Sequence, residues 1–346
     1  MRCVKSEGRC KIVFMKIAIV KLSALGDIVN AMFILQFIKK YNEDIQIDWI
    51  VEESYRGLLE SNPCVDRVEV VDLKHLKKSK SIYQIFKAFK RVRDYGPYDI
   101  VIDMQGLIKS AFISRIIPSK YTIGFDKYSI RESLASIFYN KKFNFAYDRN
   151  VVERNFEIIK FAVKFNFKLT DINNKQPFLY SRKKHLNSSL SIHKKNIILV
   201  PGASHPSKIF PFNKLAELTQ MIDANYLVIW GNDDERIIAN KIKTLSPEVN
   251  VCEKLSIQSL ISLVSQSDLL IGPDTGPTHF AWALNIPSIT LFGPTPGYRN
   301  IFSTNINKYI ESETKINPFK INKNDYSIKN INLEDKIKMA ENLLKI

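Results

Sequence analysis

The stretch KIAIVKLSALGDIVNAMFILQFIKKY, residues 16–41, decides the fold class. KIAIVKL (16–22) is a short apolar run rich in Ile and Val, as in a strand buried on both faces of a parallel sheet. Ser23–Asp27 reads as a turn in which Gly26 supplies backbone freedom, and Ile28–Tyr41 carries apolar residues at helical spacing. The same alternation recurs downstream. Strands are expected near 46–52, 67–73, 98–104 and 121–125, with helices over 81–95 and 107–116. From about 170 to 195 the chain is polar, lysine-rich and aperiodic. Alternation then restarts, with strands near 196–202, 226–231, 269–272 and 288–293 and a helix near 212–222. Two such runs imply two doubly wound α/β domains. The expected division is an extension over 1–14, either an upstream start or disordered, a first domain over 15–175, a linker over 176–195, a second domain over 196–330, and a helix over 331–346 able to pack on either domain.

Composition narrows the function. Of 346 residues, 45% are hydrophobic and 25% charged, an ordinary globular balance that can bury a large core. Cys3, Cys10, Cys64 and Cys252 are scattered without a CxxC pair, which argues against a disulfide framework or zinc site and fits a reducing cytoplasm. Cys64 and Cys252 read as small buried thiols. A net charge of +16 calls for an anionic partner, whether nucleic acid, nucleotide or membrane face, or else reflects no more than a lysine-rich composition. No helix-turn-helix, RRM or zinc signature is present, and basic residues do not alternate with aromatics, so nucleic acid is disfavoured. No apolar run reaches the ~18–20 residues that span a bilayer, and residues 1–14 lack the apolar core and cleavage site of a signal peptide.

The chemically suggestive segments follow strands, where ligands bind in open α/β sheets. Lys21–Asp27 matches neither a P-loop nor a GxGxxG fingerprint. Asp27 either caps the helix or serves as a general base. In GPDTGPTHFAWAL (272–284), Asp274, Thr275 and Gly276 open a helix N-terminus suited to phosphate, with His279 in the first turn. The Asp274 charge suits a hydroxyl better than a phosphate. In PGASHPSKIFP (201–211), Lys208 with Ser204 and Ser207 could neutralise a diphosphate, or Lys208 is a solvated charge. In WGNDDER (230–236), Glu235 suits ribose hydroxyls or a helix first turn. DMQGLIKSA (103–111) and RESLASIFYNKKF (131–143), with Lys74, Lys77, Lys78 and Lys80, offer a cationic surface for an acidic acceptor, or a solvated basic face.

Taken together, KLSALGD, DMQGLIKSA, RESLASIFYN, VVERN and GPDTGPTHFAWAL with TLFGPT resemble the lipopolysaccharide heptosyltransferases, from about Met15 to the last helix. DMQGLIKSA and RESLASIFYN are more similar to heptosyltransferase I than to heptosyltransferase II. The resemblance implies a GT-B architecture, two Rossmann-like domains facing across a cleft. It implies inverting transfer of heptose from ADP-heptose to a Kdo residue of Kdo-lipid A, without a metal or other cofactor. The matching positions make Asp27 the catalytic base and Lys208 the lysine at the diphosphate. Ser204, Glu235, Asp274, Thr275, Gly276 and His279 would bind the donor, and Gln105, Arg131 and Arg154 the acceptor. The loop before Lys208 reads SHPSK where the family is often richer in Thr and Asp. The protein is expected to act as a monomer, peripheral on the anionic cytoplasmic face of the inner membrane, with no nucleic-acid partner.

Overall fold

In the computed structural model, which describes residues 3–6, 9–12, 15–79, 81–182 and 189–345, β structure begins ahead of Met15. Strands β1 (Cys3–Ser6) and β2 (Arg9–Ile12) pair antiparallel, with Cys3 opposite Ile12. This departs from the disordered alternative expected for 1–14. The two stretches satisfy each other's backbone groups in a short ladder.

The remainder forms two units. The first takes the chain up to Ser23, then Ala31–Tyr147 and Arg154–Asp171; the second takes Ala24–Asn30, Asp148–Glu153 and the chain from Ile172 onward. In the first, β3 (Lys16–Val20), β4 (Gln46–Glu52), β5 (Arg67–Val71), β6 (Tyr98–Asp103), β7 (Ser119–Phe125) and β8 (Lys141–Phe143) form a parallel sheet in the order β5-β4-β3-β6-β7-β8. Helices α2 (Ile34–Tyr41), α3 (Leu73–Ser79), α4 (Ile82–Arg93) and α5 (Ile108–Ile116), a 3-10 turn at Ser133–Phe138 and all but the start of α6 (Val151–Val163) complete this unit, whereas most of α1 (Leu25–Met32) falls to the second. β3 runs fully buried from Ile17 to Val20, as its unbroken apolar sequence requires of a central strand.

The second unit repeats this arrangement. Strands β9 (Asn196–Leu199), β10 (Asn225–Val228), β11 (Asn250–Val251), β12 (Leu269–Pro273), β13 (Ser288–Phe292) and β14 (Asn307–Glu311) form a parallel sheet in the order β11-β10-β9-β12-β13-β14. Its helices are α7 (Phe212–Met221), α8 (Asp233–Leu245), α9 (Ile257–Val264), α10 (Gly276–Leu284), α11 (Gly297–Asn300) and α12 (Leu333–Leu344). Each sheet thus places its first strand centrally and reverses direction of growth beside it, the doubly wound order of Rossmann-like folds. The reversal points lie between β3 and β6 and between β9 and β12.

Several boundaries differ from the sequence reading. α1 begins at Leu25, so Gly26 and Asp27 lie in a helical first turn and not in the preceding loop. The edge strands β8 and β14 carried no apolar signal, because KKF is largely exposed and most of NKYIE half-buried. Helix α12 belongs to the second unit, where Ala340 and Leu343 join a core with Leu199, Leu215 and Leu291. Cys252 is buried as expected, whereas Cys64 is only partly so. The expected linker is anchored at its start: the Phe178 N–H donates to the Ala283 carbonyl at 3.1 Å, and Phe178 is 3% exposed.

Lys175, just before that anchor, is buried beside Trp282. Its ammonium donates to the Trp282 carbonyl at 2.5 Å and to Asn285, yet burial pushes its pKa down to about 7. The unfolded chain then holds a proton that the folded chain releases between about pH 7 and the ordinary lysine value near ~10.4. Stability should therefore rise with pH across that window. Thermal unfolding should show this rise in the native chain and a flatter profile in Lys175→Met; equal slopes in both would remove Lys175 as the cause.

Candidate active site

The second sheet's reversal point brings the ends of β9 and β12 together. After β9 the chain enters a 3-10 turn at Pro206–Lys208, with Pro206 at the turn's start, where its missing N–H costs nothing. His205 caps the turn: its Nδ1 accepts from the Ser207 N–H at 3.2 Å. The Lys208 N–H donates to the His205 carbonyl at 3.0 Å. This short, pinned turn delivers Lys208 to Asp274, the residue that follows β12.

The Lys208 ammonium donates to Asp274 Oδ2 at 2.6 Å, and the two side chains are only 12% and 11% exposed. Thr295 Oγ1 donates to the same oxygen at 3.2 Å and Asn300 Nδ2 at 3.4 Å. His279 Nε2 lies 3.5 Å from Oδ1. Burial opposes ionisation of Asp274, but Lys208, and then His279, outweigh it and hold the carboxyl well below the usual carboxylate range. Asp274 is accordingly a fixed negative charge near neutral pH. It can orient Lys208 and accept hydrogen bonds, but it is unsuited to carrying protons.

Thr275 caps α10, with Thr278 Oγ1 accepting from the Thr275 N–H at 3.4 Å and donating to its carbonyl at 2.6 Å. Amides in a helix first turn lack an i−4 carbonyl, and the helix dipole favours an anion there. Gly276 opens this turn for a steric reason, since a Cβ there would stand 2.3 Å from Leu25 Cδ2. The complementary relation holds at Gly26, where a Cβ would stand 2.4 Å from His279 Cδ2. Within the second unit, residues 24–30 and α10 therefore meet glycine against side chain on both sides. Gly26 is needed for this approach, not for the backbone freedom its sequence context suggested.

Asp27 follows directly. It is exposed, and its Oδ2 accepts from the Ala24 N–H at 3.2 Å, the return bond of a helix-capping arrangement. The capping alternative read from the sequence is thus realised, on a carboxylate that stays open to solvent. Glu235 is likewise engaged locally: Oε2 accepts from the Gly231 N–H at 2.7 Å, while a Cβ at Gly202 would collide with the Glu235 side chain. Ser204 is exposed on the loop leading to Lys208.

In the first unit, the reversal point is organised by Gln105 and Asp103. Gln105 Oε1 accepts from the Leu22 and Ser23 N–H groups at 3.1 and 3.2 Å. Asp103, fully buried, accepts from the Gln105 and Gly106 N–H groups and from the Ser110 and Tyr139 hydroxyls at 2.7–3.1 Å. Burial raises its pKa against those four bonds. Arg131 is exposed. Arg154 is 6% exposed and spends its donors on the carbonyls of Phe145, Ala146 and Ser129 at 2.6–2.8 Å, its guanidinium 4.3 Å from the Phe125 ring centre. Lys74 is exposed, whereas the side chains of Lys77, Lys78 and Lys80 lie outside the described residues.

Sequence reading missed Thr295, Asn300, Asn150 and Glu311. Asn150 donates to the Tyr298 and Ile301 carbonyls at 2.8 and 2.7 Å, and Glu311 accepts from the Gly297 N–H, so both pin the α11 segment that carries Asn300. Only Thr295 had a signal, its place after a strand in TLFGPT. Among the described residues no group of three or more His, Cys, Asp or Glu side chains is placed to hold a metal ion.

Two outcomes follow from this geometry. Gly276→Ala should lower the melting temperature by overpacking, a cost of roughly 1–3 kcal/mol. Gly276→Ala should cost less in a Leu25→Gly background, which removes all three atoms that crowd the new Cβ, and an equal cost in both backgrounds would mean that the close approach is not what demands glycine. Asp274→Asn should cost about 3–5 kcal/mol by leaving Lys208 buried without its partner. Because the folded pKa of Asp274 is depressed, its contribution is complete above the ordinary value near ~3.9 and declines as pH falls below it. Acid unfolding of the variant should therefore be less steep than that of the native chain.

Residues 85–321 match the model of glycosyltransferase family 9 (heptosyltransferase). The chain is 40% identical over 345 residues to the lipopolysaccharide heptosyltransferase 1 of Campylobacter coli, covering 95% of this chain and 99% of that one. It is 30% identical to the protein of the same name from Salmonella typhimurium, over 82% of this chain and 90% of the relative. Among solved structures, E. coli heptosyltransferase WaaC with ADP shares the fold at a TM-score of 0.79 and 23% identity, covering 95% of this chain and all of that one. With a family model spanning more than half its length and a relative of this identity aligned almost end to end, the chain belongs to glycosyltransferase family 9, the heptosyltransferases.

Proposed function

We propose that this glycosyltransferase moves heptose from ADP-heptose to a Kdo residue of Kdo-lipid A with inversion at the anomeric carbon. The observation that carries the donor side is the buried Lys208–Asp274 pair beside the first turn of α10. Lys208, the Thr275–Gly276 amides and the helix dipole meet the negative charge that develops on the departing ADP. Asp274, kept ionised, fixes the lysine in position and accepts from a heptose hydroxyl, with His279 beside it. Ser204 adds a hydroxyl on the phosphate side, and Glu235 takes the ribose. The names of the Campylobacter and Salmonella relatives and the ADP in the E. coli structure support this choice of donor.

Asp27 removes the proton from the attacking Kdo hydroxyl, an action worth ~10²–10⁴ in rate. On the acceptor side, Arg131 and Gln105 bind the acidic sugar. Arg154 contributes by holding the Phe145 and Ala146 carbonyls and that of Ser129, two residues ahead of Arg131. The enzyme works as a monomer at the cytoplasmic face of the inner membrane. Among the described residues no helix is long and apolar enough to cross a membrane.

The decisive assay is transfer from ADP-heptose to Kdo₂-lipid A by the purified protein in the presence of EDTA. Product is expected; donor binding without product would move the question to another acceptor, and product abolished by EDTA would require a metal. Asp27→Asn separates the two readings of Asp27. The amide oxygen can still accept from the Ala24 N–H, so stability should hold, while kcat should drop ~10²–10⁴-fold. An active Asp27→Asn enzyme would leave Asp27 with the cap alone.

A further inference from the structure

We propose that one face of the first unit, made by α4, α5 and the Ser133–Phe138 turn, docks on an anionic lipid bilayer. This rests on the reading of the acceptor as a lipid-linked sugar and assigns the surface at which it is met. α4 presents Tyr83 at 74% and Phe86 at 68% exposure, and the turn presents Leu134 at 65% and Ile137 at 68%. Ile108 and Phe112 of α5 are also exposed. These residues belong to one surface, because Phe112 bridges the elements: its ring centre is 5.3 Å from Phe89 of α4 and 5.9 Å from Phe138 of the turn. Large apolar side chains scattered singly are ordinary, but a contiguous exposed set marks an interaction site.

Charge selects the partner. Between residues 82 and 93, α4 carries Lys87, Lys90, Arg91 and Arg93 and no acid, and α5 carries Lys109 and Arg115 and no acid. Glu132, the acid nearest the turn, is half-buried and engaged locally, its Oε2 accepting from the Ile108 N–H at 2.8 Å. With Asp94 at the α4 C-cap as the acid adjoining these six cations, exposed aromatic and aliphatic groups set in an excess of lysine and arginine match the boundary of a bilayer with anionic headgroups. A protein partner of this chemistry would need an acidic apolar surface, whereas a bilayer supplies both features without specific contacts.

Position agrees. Ile108 lies three residues beyond Gln105, and Leu134 three residues beyond Arg131. The face therefore begins where the proposed acceptor residues end. A sugar anchored by acyl chains in the same bilayer would be presented to Gln105 and Arg131 with little search.

Co-sedimentation of the purified full chain tests this. Vesicles of phosphatidylcholine mixed with phosphatidylglycerol should retain the protein at low salt, and vesicles of phosphatidylcholine alone should retain little. Replacing Lys87 and Lys90 by Gln should weaken binding about fivefold for each charge removed. Tyr83→Ser with Phe86→Ser should remove the binding that survives high salt, with the melting temperature unchanged because both side chains are exposed. Unchanged binding in both variants, or no binding to anionic vesicles, would overturn the assignment. So would a doubling of mass without lipid that Tyr83→Ser with Phe86→Ser abolishes, which would give the face to a second copy of the chain. The vesicles contain no Kdo, so failure here leaves the transfer reaction standing, and failure of transfer leaves vesicle binding standing.

Discussion

The ion pair between Lys208 and Asp274 is the constraint around which the second unit's site is arranged. A lysine and an aspartate this deeply buried are tolerable only together, because either charge alone would face a desolvation cost with nothing to offset it. That requirement explains the neighbours. The Pro206–Lys208 turn exists to aim the lysine, and Thr295, Asn300 and His279 satisfy what remains of the carboxylate. The α11 segment carrying Asn300 is itself pinned by Asn150 and Glu311. A chain of local contacts thus runs outward from one carboxylate and fixes a positive charge beside a helix N-terminus.

Steric economy does the rest. Leu25 lies over Gly276 and His279 over Gly26, so the two segments approach until only a hydrogen can stand between backbone and side chain. The same close approach sets the exposed Asp27 in the turn next to His279. Capping and catalysis are compatible roles for Asp27, since one carboxylate oxygen serves the Ala24 N–H and the other is left over.

The first unit uses a neutral device at its corresponding position. Where the second sheet has an ion pair at the reversal point, the first has the Gln105 amide oxygen bridging two N–H groups after β3, secured from below by buried Asp103. Arg154 plays a similar part for the Ser129 and Phe145–Ala146 backbone. Residues that look like ligands for an acidic substrate are here partly engaged in holding the loops that would present one.

The sequence by itself determined the two α/β runs, the central strands, and the placement of the informative residues after strands. Those features follow from local periodicity, which a buried strand or an amphipathic helix imposes on any chain. The motifs from KLSALGD to TLFGPT were also enough to indicate the heptosyltransferase family. What it left open were choices between two roles for one residue: Asp27 as cap or base, Glu235 as first-turn acid or ribose ligand, Lys208 as solvated charge or diphosphate ligand. It also missed the edge strands β8 and β14, whose side chains face solvent too often to carry a pattern. Only the tertiary structure joined Lys208 to Asp274 across 66 positions and Asn300 to Asp274 across 26. It alone gave Gly26 and Gly276 their purpose. Such pairings depend on how strands far apart in the chain are ordered in a sheet, and no local pattern of residues encodes that order.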